Sequence, residues 1–98
     1  MATYHSKETE KLYEAVISLE NTKECRKFFE DICTVKELLD LAQRLQIALM
    51  LKEGKNYQEI SAETGASTAT ISRVNKCLLY GTGGYETVIS KLNKDTEK

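Results

Sequence analysis

The sequence lacks proline and tryptophan, has one histidine, and places all five of its glycines in the second half of the chain. Because proline and glycine are the residues that most often interrupt helices, this distribution favours an all-helical fold. The three cysteines have no Cys-x-x-Cys spacing, so we predict neither a disulfide framework nor a metal site. The histidine, His5, lies near the N-terminus, away from any nucleophile in the interior of the chain. We therefore expect that the protein is not an enzyme.

The sequence also lacks an excess of charge and a long apolar run. Fourteen Lys and Arg residues oppose fifteen Asp and Glu residues, which gives a net charge of −1 and excludes nucleic-acid binding by overall positive charge alone. The densest apolar stretch, residues 38–51, is interrupted by polar side chains and is shorter than the roughly 18 apolar residues of a membrane span. The N-terminal residues do not resemble a secretory leader, so we expect a cytoplasmic protein.

The length of 98 residues suits one domain, and we predict a single all-α domain over residues 1–98. Hydrophobic periodicity indicates about six helices. The expected segments are 6–19, 21–33 with its capping residues, 35–53, 56–64, 68–80 and 85–93, followed by a frayed polar tail at 94–98.

The third predicted helix is apolar on almost every side. It opens at Thr34-Val-Lys-Glu37, which has the Ser/Thr-x-x-Glu form of a capping box, and Gly54 is expected to end it. Between them, ten apolar residues leave no polar face in the last three turns. Since a monomer of this size has too few elements to bury such a helix, we expect it to form the centre of the domain and part of a homodimer interface.

Residues 57–76 carry the pattern of a helix-turn-helix. Gly65, at the ninth position, supplies the left-handed backbone of a sharp turn, and the small Ser61, at the fifth, lets the second helix cross closely. Ser67 or Thr68 is expected to cap the second helix and to direct its N–H groups toward phosphate. The core that the two helices are predicted to share consists of Ile60, Ala66, Ile71, Val74 and Leu78.

The outer face of the second helix carries small, hydroxyl and cationic side chains. Such residues read the major groove, because methyl groups pack on thymine, hydroxyls reach base edges or phosphates, and Arg or Lys contacts guanine or the backbone. Residues 55–80 have a net charge of +1, so the cations are local. We predict a sequence-specific regulator that binds double-stranded DNA, and a protein-interaction module on the same scaffold is the open alternative. The predicted DNA-binding residues are Gln58, Ser67, Thr68, Ala69, Thr70, Ser72, Arg73 and Lys76.

The segment Thr64–Arg73, Thr-Gly-Ala-Ser-Thr-Ala-Thr-Ile-Ser-Arg, resembles the turn and recognition helix of the tryptophan repressor family, in particular its short relatives in Gram-positive bacteria. The similarity covers roughly residues 28–92. It implies an intertwined, all-helical homodimer that binds palindromic operators, with repression as the expected outcome. Gln58 and Ser61 stand where the repressor has cationic residues, which implies a different operator and a weaker salt dependence.

The resemblance also implies an effector pocket. The repressor holds tryptophan between two arginines, which Arg44 and Arg73 match, and Thr34 matches a threonine of that pocket. Two positions depart from the pattern: Val74 replaces a glycine, and Cys77 replaces the serine that receives the amino group of the ligand. We therefore expect an effector other than tryptophan, or none, and no other cofactor. The implied pocket residues are Thr34, Arg44, Arg73 and Cys77.

Overall fold

The computed structural model describes residues 4–97, with side chains through Lys94. Within that range the chain forms six α-helices and no β-strand, which confirms the predicted all-α class. None of these helices is long and apolar enough to cross a membrane. The chain divides into two compact units, one up to Leu38 and one from Leu39 onward. The helices are α1 (Lys7–Ile17), α2 (Thr22–Ile32), α3 (Val35–Lys52), α4 (Tyr57–Thr64), α5 (Thr68–Tyr80) and α6 (Gly84–Glu97).

The N-terminal unit contains α1, α2 and the first turn of α3. Ser6 caps α1, because its Oγ accepts the Thr9 N–H at 3.1 Å while Thr9 Oγ1 accepts the Ser6 N–H at 3.0 Å. Asn21 caps α2 by accepting the Glu24 N–H at 2.9 Å. No residue of α1 or α2 is buried, so a single chain leaves the apolar faces of both helices accessible.

Helix α1 is shorter than predicted and ends at Ile17 rather than Leu19. The Ser18 hydroxyl donates to the Ala15 carbonyl at 2.6 Å, and the Ser18 N–H is shared between the Glu14 and Ala15 carbonyls at 3.1 and 3.2 Å. A serine that bonds to the preceding turn in this way competes with the regular helical pattern, which accounts for the early end.

Helix α6 is longer than predicted. It begins at Gly84 and continues to Glu97, so the expected end at Asn93 is wrong, and fraying of the polar residues from 94 onward stays a prediction. The polar residues after Asn93 include no glycine or proline, and polarity alone does not stop a helix. The last residue of the predicted tail, Lys98, lies outside the described residues.

Helix α3 begins and ends as its sequence signals predict. The Thr34 N–H donates to Glu37 Oε1 at 2.8 Å and the Glu37 N–H donates to Thr34 Oγ1 at 3.1 Å, which confirms the capping box. Beyond its C-terminus, Gly54 adopts φ +89° and the Lys55 N–H donates to the Met50 carbonyl at 3.1 Å. This is the left-handed glycine termination that closes many helices.

The hydrophobic core lies in the second unit, where α3, α4, α5 and α6 all contribute to it. Four of the five side chains predicted for the helix-turn-helix core are buried, and the fifth, Leu78, is partly buried against them. The core therefore fixes α5 against α4. Only the inner face of α5 takes part in this packing, so its outer face is left accessible. The buried side chains described are Ile47, Ala48, Met50, Ile60, Ala66, Ile71, Val74 and Ile89.

Candidate nucleic-acid interface

The first helix of the motif, α4, is set by a capping box at its start. Asn56 Oδ1 accepts the Glu59 N–H at 2.9 Å, and the Asn56 N–H reaches back to Glu59 Oε1 at 3.4 Å. Ile60 is fully buried and Tyr57 is half-buried against the core. The inner face of α4 is thereby anchored, and Gln58, a predicted DNA contact, is left exposed.

The turn between α4 and α5 has the predicted geometry. Gly65 adopts φ +75° and ψ 4°, and its N–H donates to the Ser61 carbonyl at 2.9 Å. A Cβ at Gly65 would meet open space, so glycine is favoured there by its backbone conformation and not by crowding. Ser61 does more than stay small, because its hydroxyl donates to the Ala66 carbonyl at 2.9 Å and ties the turn to α4.

A second tie at the turn comes from α3 and was not anticipated from the sequence. Gln43 Nε2 donates to the Thr64 carbonyl at 3.0 Å, which satisfies an acceptor at the open C-terminus of α4. The sequence shows Gln43 as a polar side chain inside the apolar stretch 38–51. It does not show that Gln43 bonds to Thr64, which is 21 residues away and is brought close by tertiary structure. The turn is thus held from both α3 and α4.

The second helix of the motif, α5, is capped by Ser67. Its Oγ accepts the Thr70 N–H at 3.2 Å and lies 3.1 Å from Thr70 Oγ1. The predicted choice between Ser67 and Thr68 is therefore resolved, and Thr68 is exposed as the first residue of the helix. Thr70, which is also a predicted DNA contact, is half-buried, and its hydroxyl lies beside the cap.

The outer face of α5 is composed as predicted. Ile71 and Val74 point into the core at 0% and 2% exposure. On the opposite side the structure brings together short side chains at the start of the helix and two cations further along. The exposed residues on this outer face are Thr68, Ala69, Ser72, Arg73 and Lys76.

The cations of the motif differ in what surrounds them. Lys55 Nζ lies 3.5 Å from Glu63 Oε1, so part of its charge is neutralised. Among the described residues, neither Arg73 nor Lys76 forms an ion pair. An exposed and unpaired Arg or Lys is available to a phosphate or to the acceptor edge of guanine.

Three of the predicted effector-pocket residues, Arg44, Arg73 and Cys77, are exposed and lie in electrostatic range of one phenol, that of Tyr85. Tyr85 is half-buried and packs against the core at the start of α6. Burial raises the pKa of its hydroxyl above the ordinary value of 10.0, and the charge interaction with Cys77 raises this pKa further, whereas the positive charges of Arg44 and Arg73 lower it. Sequence reasoning missed Tyr85, for which the only signal was an aromatic residue directly after the glycine-rich link.

The fourth predicted pocket residue, Thr34, belongs to the N-terminal unit. Its side chain is exposed, and its Oγ1 accepts the Glu37 N–H as part of the cap of α3. The structure thus assigns Thr34 a capping contact, and its part in an effector pocket stays a prediction.

Two short helices joined by a glycine turn, with a buried inner stripe and an exposed reading face, define a helix-turn-helix of the DNA-binding type. The model of the Trp repressor protein family matches residues 7–93. The chain belongs to this family of helix-turn-helix DNA-binding regulators.

Individual proteins resemble the chain over nearly its whole length. The uncharacterized protein YerC of Bacillus subtilis strain 168 is 50% identical over 91 residues, which cover 93% of this chain and 86% of that protein. The crystal structure of a TrpR-like protein from Eubacterium eligens ATCC 27750 superposes with a TM-score of 0.88 and 47% identity, covering 92% of this chain and 93% of the other. A crystal structure from Staphylococcus aureus gives a TM-score of 0.87 at 45% identity, with 91% and 89% covered.

Proposed function

We propose that the protein is a cytoplasmic transcriptional repressor that acts as a homodimer and places α5 of each copy in the major groove of an operator. The observation that carries the proposal is the outer face of α5, where Ala69, Ser72 and Arg73 are exposed on a helix whose other side is buried. Methyl, hydroxyl and guanidinium groups together offer contacts to thymine, to base edges and to guanine or phosphate.

Dimerisation is supported by the apolar side chains that a single chain leaves accessible. On α3, Val35 and Leu39 are 77% and 63% exposed, and on α1, Ile17 is 81% exposed. Single exposed apolar residues are ordinary, but several on neighbouring turns favour burial against another surface. A second copy of the chain is the proposed occupant, because a two-fold dimer would also present two reading helices to the two halves of a palindrome.

We further propose that tryptophan is not the effector of this repressor, which responds to a different small molecule or to none. Val74 is 2% exposed and forms part of the core, so it adds bulk beside Arg73 where the family's repressor has glycine. Cys77 offers a thiol, which is a weaker hydrogen-bond partner for an amino group than the serine hydroxyl that it replaces.

Selection of bound sequences from a pool of random double-stranded DNA, with and without added tryptophan, tests the proposal. We expect enrichment of a palindrome whose half-sites lie about 34–36 Å apart, at the same level in both conditions. A pool that stays random at low salt would contradict DNA reading and would favour the protein-interaction module. Enrichment only with tryptophan would contradict the effector assignment alone.

A further inference from the structure

Helix α3 holds the helix-turn-helix at two separate places along its length. Its C-terminal half supplies Ile47, Ala48 and Met50 to the core that α4 and α5 share, and all three side chains are buried. The second place is Gln43, whose Nε2 donates to the Thr64 carbonyl at 3.0 Å. Gln43 precedes those core residues by four to seven positions, which is about 6–10 Å along the helix axis. A motif attached at one place can pivot, whereas attachment at two places fixes its angle on α3.

The contact between Gln43 and Thr64 has only one possible polarity. A carbonyl oxygen can accept a hydrogen bond but cannot donate one, so the NH2 group of the Gln43 amide must face it. Both residues are half-buried, which reduces competition from water for this bond. The Thr64 carbonyl lies at the C-terminal end of α4, where carbonyls lack a donor from their own helix. An apolar side chain at position 43 could not make this bond.

The turn after Thr64 is closed by hydrogen bonds of its own, so it moves together with Thr64. Thr64 Oγ1 donates to the Ile60 carbonyl at 2.7 Å and accepts the Ala66 N–H at 3.1 Å. The Ala66 carbonyl accepts the Ser61 hydroxyl at 2.9 Å. Ala66 is buried, and Ser67, the cap of α5, follows it directly. A restraint at the Thr64 carbonyl therefore also restrains the start of α5.

Gln43 also lies on the helix that carries part of the proposed dimer interface. Leu39, one turn before Gln43 on α3, is 63% exposed in a single chain. In the proposed homodimer, the angle of the helix-turn-helix on α3 sets the distance and the rotation between the two α5 helices. That distance decides which spacing of half-sites the dimer accepts.

We propose that Gln43 is a positioning residue that fixes the angle of the helix-turn-helix on α3 and thereby selects the spacing between the two half-sites of the operator. This inference rests on the proposed function and deepens it, because it names a residue that decides which palindromes are bound. Gln43 acts through the Thr64 carbonyl and the turn, so its role needs no contact with DNA. Contacts of α5 with one half-site do not depend on it, because the core keeps α5 on α4.

Binding to palindromes of altered spacing tests the proposal. Each added or removed base pair shifts one half-site by about 3.4 Å and rotates it by about 35°. The unchanged protein should bind the spacing enriched by selection at least about tenfold more tightly than spacings one base pair shorter or longer, since a wrong spacing requires deformation of the DNA. Gln43→Met keeps the length of the side chain without an N–H donor, and it should still bind but discriminate less than about threefold. Gln46→Met is the same change at an exposed position of α3 and should discriminate like the unchanged protein.

Two further variants distinguish positioning from a merely structural effect. Gln43→Lys restores an N–H donor on a side chain long enough to reach the Thr64 carbonyl, and it should recover most of the lost discrimination. Should Gln43→Met fail to fold, Gln43→Glu keeps the size of the side chain and presents only acceptor oxygens when ionised, so it should lose discrimination as well. Full discrimination by Gln43→Met or Gln43→Glu, or no recovery with Gln43→Lys, would overturn the proposal.

Failure of this inference is distinguishable from failure of the proposed function. In the unchanged protein, the Nε2 protons of Gln43 should exchange with water at least about tenfold more slowly than those of the exposed Gln46, and this NMR measurement needs no DNA. Equal exchange rates, or a palindrome that the unchanged protein enriches at several spacings, would overturn the role of Gln43 alone. Absence of any enriched palindrome would overturn the proposed function and the spacing role with it.

Discussion

At the scale of single residues, Arg73 is the residue to which two different roles were assigned. It lies on the exposed face of α5, forms no ion pair within the described residues, and acts electrostatically on the Tyr85 hydroxyl. Sequence reasoning assigned it both to the DNA-binding set and to the effector pocket. The two assignments are compatible, because Arg73 is exposed and residues 73 and 77 lie one turn apart on the same helix.

Substitution of Arg73 should change the affinity for DNA without changing the stability of the fold. We expect Arg73→Ala to weaken binding of the selected sequence by about 1–3 kcal/mol, since a guanidinium contact to guanine or phosphate is lost. Thermal unfolding should stay nearly unchanged, because the side chain is exposed. Arg26→Ala removes the same exposed side chain from α2 and should leave DNA binding unaltered. Equal DNA affinities of the two variants would contradict the assignment of Arg73.

Tyr85 predicts a specific alkaline dependence of stability. Its hydroxyl pKa is raised in the folded chain, so the folded state retains the proton more tightly than the unfolded state. The protonated Tyr85 hydroxyl makes its full contribution to the free energy of unfolding below pH 10.0, the ordinary pKa of tyrosine. This contribution is lost as pH rises from there through the raised pKa of the folded state. Between pH about 9 and pH about 11, the free energy of unfolding of Tyr85→Phe should therefore fall less than that of the unchanged protein. Parallel pH profiles from denaturant unfolding would be inconsistent with this account.

At the scale of helices, capping residues and glycines in the sequence predicted the helix ends that depend on local hydrogen bonding. Helix α5 begins at Thr68 and ends at Tyr80 as predicted, because a serine cap precedes it and glycine follows it. The two ends that differ from the prediction by two residues or more are the C-termini of α1 and α6, and they depended on a serine back-bond and on continued helix formation by polar residues. Tyr85 could not be predicted for a different reason: the groups that act electrostatically on its hydroxyl lie on α3 and α5, and interactions between distant segments leave no periodic pattern in one sequence.

The turn of the motif can be tested by a matched pair of glycine substitutions. Gly65→Ala should destabilise the protein by about 1–2 kcal/mol, because φ +75° is unfavourable for a residue with a Cβ. Gly84→Ala, at the open first position of α6, should be neutral or should stabilise by up to about 1 kcal/mol, since alanine favours helix. Equal changes in the free energy of unfolding for the two variants would show that the turn does not need its left-handed glycine.

At the scale of the whole molecule, the net charge of −1 and the accessible apolar faces both favour the proposal that the protein acts as a homodimer. Charge supplies little attraction for DNA, because Arg73 and Lys76 are the exposed cations on the outer face of α5. In the proposed homodimer, the affinity comes instead from base contacts that are made twice on a palindrome. A chain of 98 residues is large enough to supply one DNA-binding half of such a homodimer.

The proposed dimer predicts an effect of charge on α3. Leu39→Lys places an ammonium group at a side chain that is 63% exposed in one chain, so each chain should keep its helical content. If the site is covered by the partner, the dimer should dissociate at least about tenfold more readily, because apolar burial is lost in both copies. Gln46→Lys adds the same charge at an exposed polar position of α3 and should leave the mass unchanged in sedimentation equilibrium. Identical masses for both variants would place Leu39 outside any interface.

The most direct measurement of the central claim is methylation interference on the selected DNA, which reports contacts at guanine N7 in the major groove. A homodimer that reads with α5 predicts two interference patches related by two-fold symmetry, about 34–36 Å apart and on one side of the duplex. Both patches should fade with Arg73→Ala and persist with Arg26→Ala. A single patch, or selected DNA whose binding is indifferent to methylation in the major groove, would contradict the account.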